Sequence, residues 1–381
     1  MRSQTSLTLA AALALAGATG CEPTCPDAPG IACRYAGTGR LGLGPDGLTP
    51  RETSIYWAMD MEFAPDGTPY FIDWNNHLIR RVNPDGRVET LVGDFVGDGA
   101  PDMADLVYPG APGLEVQLNH PTDLDFDGDG NLIITAWHNH KLRVLDVQTG
   151  LVHVMCGRGP GFAGDGAGMM QVRFNQPNSI ERADDGTLYI LDQRNHRIRR
   201  IGPDGMVSTI AGTGMAGYGG DGGPPAEAQL RFEAGGNPEP SGGIELGPDG
   251  AIYFSDGLNH RIRRIDLVAD RIDTIVGTGE PGYGGDGGLG TAAQINHARD
   301  VQFGPDGRLY FADTENHRVR AWDPTTQLVE TVVGTGAAGA GEEGQPATEV
   351  ALDRPMGIAF GPDGALYVAD TLNSRYLRIP R

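Results

Sequence analysis

Six short segments of this chain carry acidic or hydroxyl side chains at matched offsets. The first position holds Asp60, Asp123, Ser179 and Asp300, with Gly243 and Gly357 in the other two segments. Two residues later stand Glu62, Asp125, Glu181 and Glu245, then Gln302 and Ala359. The residues between and after are mostly apolar, as in Met61 and Phe63, Leu124 and Phe126, or Val301 and Phe303; Arg182 departs from this pattern. A period of two sends the two sets to opposite sides of a strand. If six such strands stand around one axis, the carboxylates converge, and converging like charges raise one another's pKa or recruit a cation. The expectation is a ligand-binding channel mouth at Asp60, Asp123, Ser179 and Asp300, with Glu62, Asp125, Glu181 and Glu245 one layer deeper. The plainer counterpart is a water-filled channel lined with solvated carboxylates.

Two further sets could hold a metal ion. His120 and His297 precede Asp123 and Asp300 at matched positions, in His-Pro-Thr-Asp and His-Ala-Arg-Asp, although two imidazoles without a third make a thin set. Asp127, Asp129 and Asn131 offer oxygen ligands for Ca²⁺ in a hairpin. The longer calcium-loop match from Asp123 fails because its twelfth position is Ile134 rather than Glu. No Ser-His-Asp or Cys-His arrangement recurs at a usable spacing, so no catalytic residue is assigned. The glycine-rich runs Gly219–Gly223 and Gly284–Gly288 lack the Lys-Ser/Thr helix start of a nucleotide loop.

The elements that must position these residues come from an internal repeat of about 56 to 64 residues. Its plainest segment reads Asp73-Trp-Asn-Asn76-His77, and recurs at Asp192–His196, Asp256–His260 and Asp313–His317. Two copies are degenerate: Ala136-Trp-His-Asn139-His140 lacks the Asp and Asp370-Thr-Leu-Asn373-Ser374 lacks the His. A short apolar run precedes each, entered through an Asp-Gly turn, which is a strong hairpin signal. A strand alternating basic and apolar residues follows, then one ending in Gly. Four short antiparallel strands at this period make propeller blades, so the expected fold is all-β, a six-bladed β-propeller with four strands per blade. The sixth copy stops at Arg381 without its fourth strand, and residues 31–37 read like the missing one. The N-terminal strand should therefore close the last blade and remove the open edges.

The repeat resembles the NHL family, named for an Asn-His-Leu signature that Asn76-His77-Leu78 carries literally. The resemblance covers nearly all of residues 34–381 and rests on the whole unit rather than on the tripeptide. It implies that the glycine-rich runs are blade-linking turns and that the Asn-His pairs hold the tight turn between second and third strands. Similarity to propeller lyases that place His at channel mouths implies Zn²⁺ for His120 and His297. It also raises, as the alternative function, a metal-dependent lyase or lactonase working in the axial channel.

Antiparallel topology places the Gly-Asp-Gly loops at Asp98, Asp165, Asp221 and Asp286, the Asn-His turns and the starts of the inner strands on one face. Ligand sites gather on such loop faces. The expected function is therefore a binding platform for a protein or saccharide-like ligand. With 29 Lys and Arg against 50 Asp and Glu, the net charge of −21 repels phosphate backbones and excludes nucleic acid as the main partner. The 59 Gly and 27 Pro in 381 residues match a turn-rich fold. Residues 1–20 read as an export signal: Arg2, an apolar stretch from Leu7 to Ala16 too short to span a bilayer, then Gly17-Ala18-Thr19-Gly20 before Cys21. That ending resembles a bacterial lipobox, with Cys21 lipidated, residues 21–30 a tether and residues 31–381 the propeller. The expected product is a monomer held to the cell envelope, on its periplasmic or outer side, by lipid alone. Cys25 and Cys33 are the natural disulfide pair in an oxidising compartment, and Cys156 a buried thiol.

Overall fold

The computed structural model describes residues 25–94, 108–233 and 239–381. The export signal, Cys21 and the loop at Asp98 lie outside the described residues. Six antiparallel sheets follow one another, and the described residues form no α-helix. The innermost strands are Ala58–Phe63, Pro121–Phe126, Pro177–Arg182, Ile244–Leu246, Val301–Phe303 and Pro355–Phe360. Each touches the inner strand of the blade before and the blade after, and the sixth touches the first, so the ring is closed.

Four sheets have four strands. Blade two gains Ala111–Pro112 and blade six gains Gln345–Pro346 as fifth, two-residue strands, additions the repeat did not predict. The N-terminal strand Ile31–Ala36 pairs antiparallel with Arg375–Ile379, placing Cys33 opposite Arg378 and Ala36 opposite Tyr376. Blade six is thus completed from the N-terminal side, as expected. A second tie crosses the same seam: the Tyr376 hydroxyl donates to the carbonyls of Asp60 (2.9 Å) and Ile72 (2.8 Å) and accepts from the Met59 amide (3.2 Å).

The core lies between blades. The apolar residues of the inner strands, Met61, Leu124, Ile244, Val301 and Ile358, are buried. The phenylalanine two residues on packs against a tyrosine of the preceding blade, as in Phe126 on Tyr70, Phe303 on Tyr253, Phe360 on Tyr310 and Phe63 on Tyr367. Burying such rings against one another is the main hydrophobic contribution to radial packing.

Each third strand buries one arginine completely: Arg80, Arg143, Arg199, Arg263 and Arg320 in the first five blades. A register shift beside each of Arg80, Arg199, Arg263 and Arg320 re-aims the side chain toward the loop face. Arg263 joins Asp256 of its own blade (3.3 Å) to Asp221 of the glycine-rich loop (2.7 Å), and Arg320 does the same with Asp313 and Asp286. In blade one the loop partner is Asp46, which the repeat alignment had not singled out. The arginine rows therefore answer the chain's own carboxylates.

Candidate functional site

In each intact Asp-x-x-Asn-His segment, the Asn amide donates to the Asp carboxylate, as Asn259 does to Asp256 (2.9 Å), and the His sits in the left-handed region, with His260 at φ 52°. The role expected for the histidine changes here. Its Nδ1 does not close its own turn but accepts a backbone amide of the next blade: His120 N to His77 (3.0 Å), Gln176 N to His140 (3.0 Å), His297 N to His260 (3.2 Å) and Arg354 N to His317 (3.1 Å). These histidines locate the start of the neighbouring inner strand.

From there the inner strands descend along the axis. Each is bonded on its outer edge only, leaving main-chain amides along the inner edge. Those amides are answered by the predicted ring. Asp60 Oδ2 accepts from Leu124 N (3.2 Å), Asp123 Oδ2 from Ile180 N (2.7 Å), Ser179 Oγ from Ile244 N (3.2 Å) and Asp300 Oδ2 from Ile358 N (2.8 Å). One layer deeper, Glu245 Oε1 accepts from Phe303 N (3.1 Å). At the two glycines of the ring the strands come too close for a side chain. A Cβ on Gly357 would lie 2.1 Å from the Met59 carbonyl, and one on Gly243 would lie 2.8 Å from the Asp300 Cα.

The structure thus brings together all eight residues expected at the channel. Asp60, Glu62, Asp123, Asp125, Ser179, Glu181, Glu245 and Asp300 enclose an axial chamber of about 230 Å³. Above it, toward the loop face, a neck of about 30 Å³ is shared by Asp60, Asp123, Ser179 and Asp300 with Met59, Thr122, Asn178, Arg299 and Met356. Burial lifts all seven acids above the usual range, and neighbouring carboxylates add to the rise in all but Asp123. Asp300 and Glu245 are pushed up to about 8 and Asp125 to about 7, and Asp60, Glu62, Asp123 and Glu181 are raised as well. The chamber holds protons at neutral pH that free carboxylates would have lost.

The metal candidates separate. His120 sits among Asn75 (3.1 Å), Asn119 (2.7 Å) and His138 (3.0 Å), while His297 Nε2 pairs with the buried Ser241 hydroxyl (2.9 Å). Burial, assisted by His77 and His138, brings His120 down to about 3; burial and Arg299 lower His297 strongly. Asp127 caps its own hairpin, accepting from the amides of Asp129 (2.9 Å) and Asn131 (2.8 Å) and from the Asn131 side chain (3.0 Å). Those three residues form a turn on the far face. Among the described residues no three His, Cys, Asp or Glu side chains are arranged to hold a metal ion. Cys25 and Cys33 form a disulfide with Cα atoms 5.8 Å apart, and Cys156 is a buried free thiol.

Two features of the mouth escaped the sequence. The first is an aromatic cluster behind the mouth: the half-buried Trp57 stacks on the buried Trp74 (5.6 Å), Trp74 meets His120 (4.5 Å), and the buried Trp137 stacks on His138 (4.0 Å). Met59 and Met356 of the neck belong to the same apolar cluster. The second is an ion-paired rim, where Glu239 binds both Arg299 and Arg354 at 2.6 Å. Burial raises Glu239, but Arg354 and Arg299 outweigh it and draw it down to about 2. Each of these residues occurs once rather than in every repeat, so alignment of the repeats does not flag them.

No protein-family model matches the chain. It is similar to the SUPPRESSOR OF QUENCHING 1 protein of Arabidopsis thaliana, 29% identical over 69% of this chain and 25% of that protein. It is also similar to NHL repeat-containing protein 2 of Bos taurus, 25% identical over 70% of this chain and 46% of that protein. The chain spans between a quarter and half the length of these relatives. Among solved structures, an auxiliary nutrient binding protein of Bacteroides ovatus shares the fold with a TM-score of 0.62, at 14% identity, over 91% of this chain and 76% of the other. The chain is a six-bladed β-propeller similar to NHL repeat-containing proteins.

Proposed function

We propose that the protein is an exported, lipid-anchored binding platform that holds its ligand at the mouth of the axial channel, on the loop face. The observation that carries this reading is the composition of the mouth: a carboxylate ring reached through a narrow neck bordered by Met59 and Met356, whose apolar cluster packs against the half-buried Trp57, and by Arg299 paired with Glu239. Concave sites with an apolar wall and a few fixed polar groups are the usual form of small-ligand sites. The side chains that could do chemistry are spent otherwise, with the Nδ1 atoms of His77, His140, His260 and His317 bonded between blades and the Asp60, Asp123, Asp300 and Glu245 carboxyls holding main-chain amides. The nutrient-binding name of a propeller with the same fold supports a ligand-holding role, and a saccharide-like molecule or a protein segment suits a mouth with the half-buried Trp57 beside it.

Titrating the protein with a panel of methyl glycosides, amines and amino acids should give a saturable change in tryptophan emission for at least one class, lost in Trp57→Ala. A panel that shifts no emission, or a shift that survives Trp57→Ala, contradicts the reading. The anchor is tested separately: Cys21→Ser should release the chain from the membrane fraction, and retention there contradicts lipidation at that residue.

A further inference from the structure

The neck contains more hydrogen-bond acceptors than the fold uses. Thr122 Oγ1 and Asn178 Oδ1 border it, are more than nine-tenths buried, and have no partner. The Asn178 amide nitrogen donates to the Gly242 carbonyl (2.5 Å), which turns the unpaired oxygen the other way. Buried polar atoms without partners cost free energy unless something arrives to satisfy them. Around them stand the carboxylates of Asp60, Asp123 and Asp300. Arg299 is the one cation among the residues bordering the neck, and Glu239 neutralises it.

Resting on the reading of the mouth as a ligand site, we propose that the neck takes the ammonium head of an organic amine whose apolar or ring-shaped body lies against Met59, Met356 and Trp57. The donor and acceptor inventory selects this class. An ammonium has three donors and no acceptor, and the neck supplies carboxylate, hydroxyl and amide oxygens at a volume that suits one water-sized group. An anion would meet three carboxylates. A bare metal ion would need several ligands converging on a point, and among the described residues no three His, Cys, Asp or Glu side chains do so. Met59 and Met356 border the neck and belong to the apolar cluster that packs against the half-buried Trp57, whose ring can attract a cation. Because part of the ring is protonated near neutral pH, seating a cation there must expel protons.

Calorimetric titration of the protein near neutral pH with 2-phenylethylammonium, and with the neutral 2-phenylethanol, separates the possibilities. The amine should bind about tenfold or more tightly than the alcohol, as a charge-assisted hydrogen bond implies. Its heat should also vary with the buffer's ionisation enthalpy in the direction of proton release. Asp123→Asn should weaken the amine about tenfold; Thr122→Val, which keeps the shape and the ring's charges, should weaken it several-fold should the first variant not fold. Equal affinity for amine and alcohol, or heats independent of buffer, overturns the proposal. A methyl glycoside that binds where the amine does not overturns the ammonium assignment and leaves the binding platform standing; no binding by either removes both.

Discussion

Arg263 is buried completely yet carries a charge, and its cost is met by Asp256, Asp221 and the Gly219 carbonyl at 2.9 Å. Burial still pushes Asp256 up to about 6, because desolvation exceeds what Arg263, Asn259 and the Arg231 amide return. Such a group is intolerant of losing one partner. Arg263→Met should destabilise the protein by about 3–5 kcal/mol in urea denaturation, and adding Asp256→Asn should recover part of the loss by removing the stranded charge. A double variant no more stable than the single one would show that the arginine acts through packing alone. This layer was legible in the sequence because Asp, Asn, His and Arg recur at fixed offsets in several copies. Its histidines were misread only in their target, since a sequence offset does not say which blade an imidazole faces.

Among elements, the inner strands explain why the acidic ring was visible from the sequence and the mouth was not. Alternation along a strand fixes sidedness, and six aligned copies fix depth, so Asp60, Asp123 and Asp300 could be placed at one level. Thr122 and Asn178 occupy the position just before that level, where the inner strands of blades two and three shift register against their neighbours, and Arg299 precedes the first paired residue of blade five. Simple alternation fails at such an irregularity. Closure of the ring was legible from its two ends, while the Tyr376 tie across the seam was not, because it occurs once. Tyr376→Phe leaves the Met59 amide without its hydroxyl partner and takes a donor from the Asp60 and Ile72 carbonyls, so it should cost about 1–3 kcal/mol. An unchanged thermal midpoint would mean that the paired strand Ile31–Ala36 closes the ring unaided.

At the scale of the whole molecule, the propeller forces seven carboxyl groups into one chamber. Their folded-state pKa values are raised, so the folded protein holds protons that the unfolded chain has released. That difference makes stability fall as pH rises from the ordinary carboxyl range toward about 8, where Asp300 and Glu245 titrate. The buried Asp73, Asp192, Asp256 and Asp313, each at about 6, act in the same direction. A ligand that brings positive charge to the axis would relieve this strain, which ties the ring's electrostatics to the proposed site. Carbon-13 NMR titration of the Asp and Glu carboxyls tests the convergence most directly. Resonances assigned to Asp125, Asp300 and Glu245 should titrate at about 7 to 8, with those of Asp125 and Asp300 moving down when Asp123 becomes Asn. Titration of all three in the ordinary carboxylate range would contradict a shared, buried chamber.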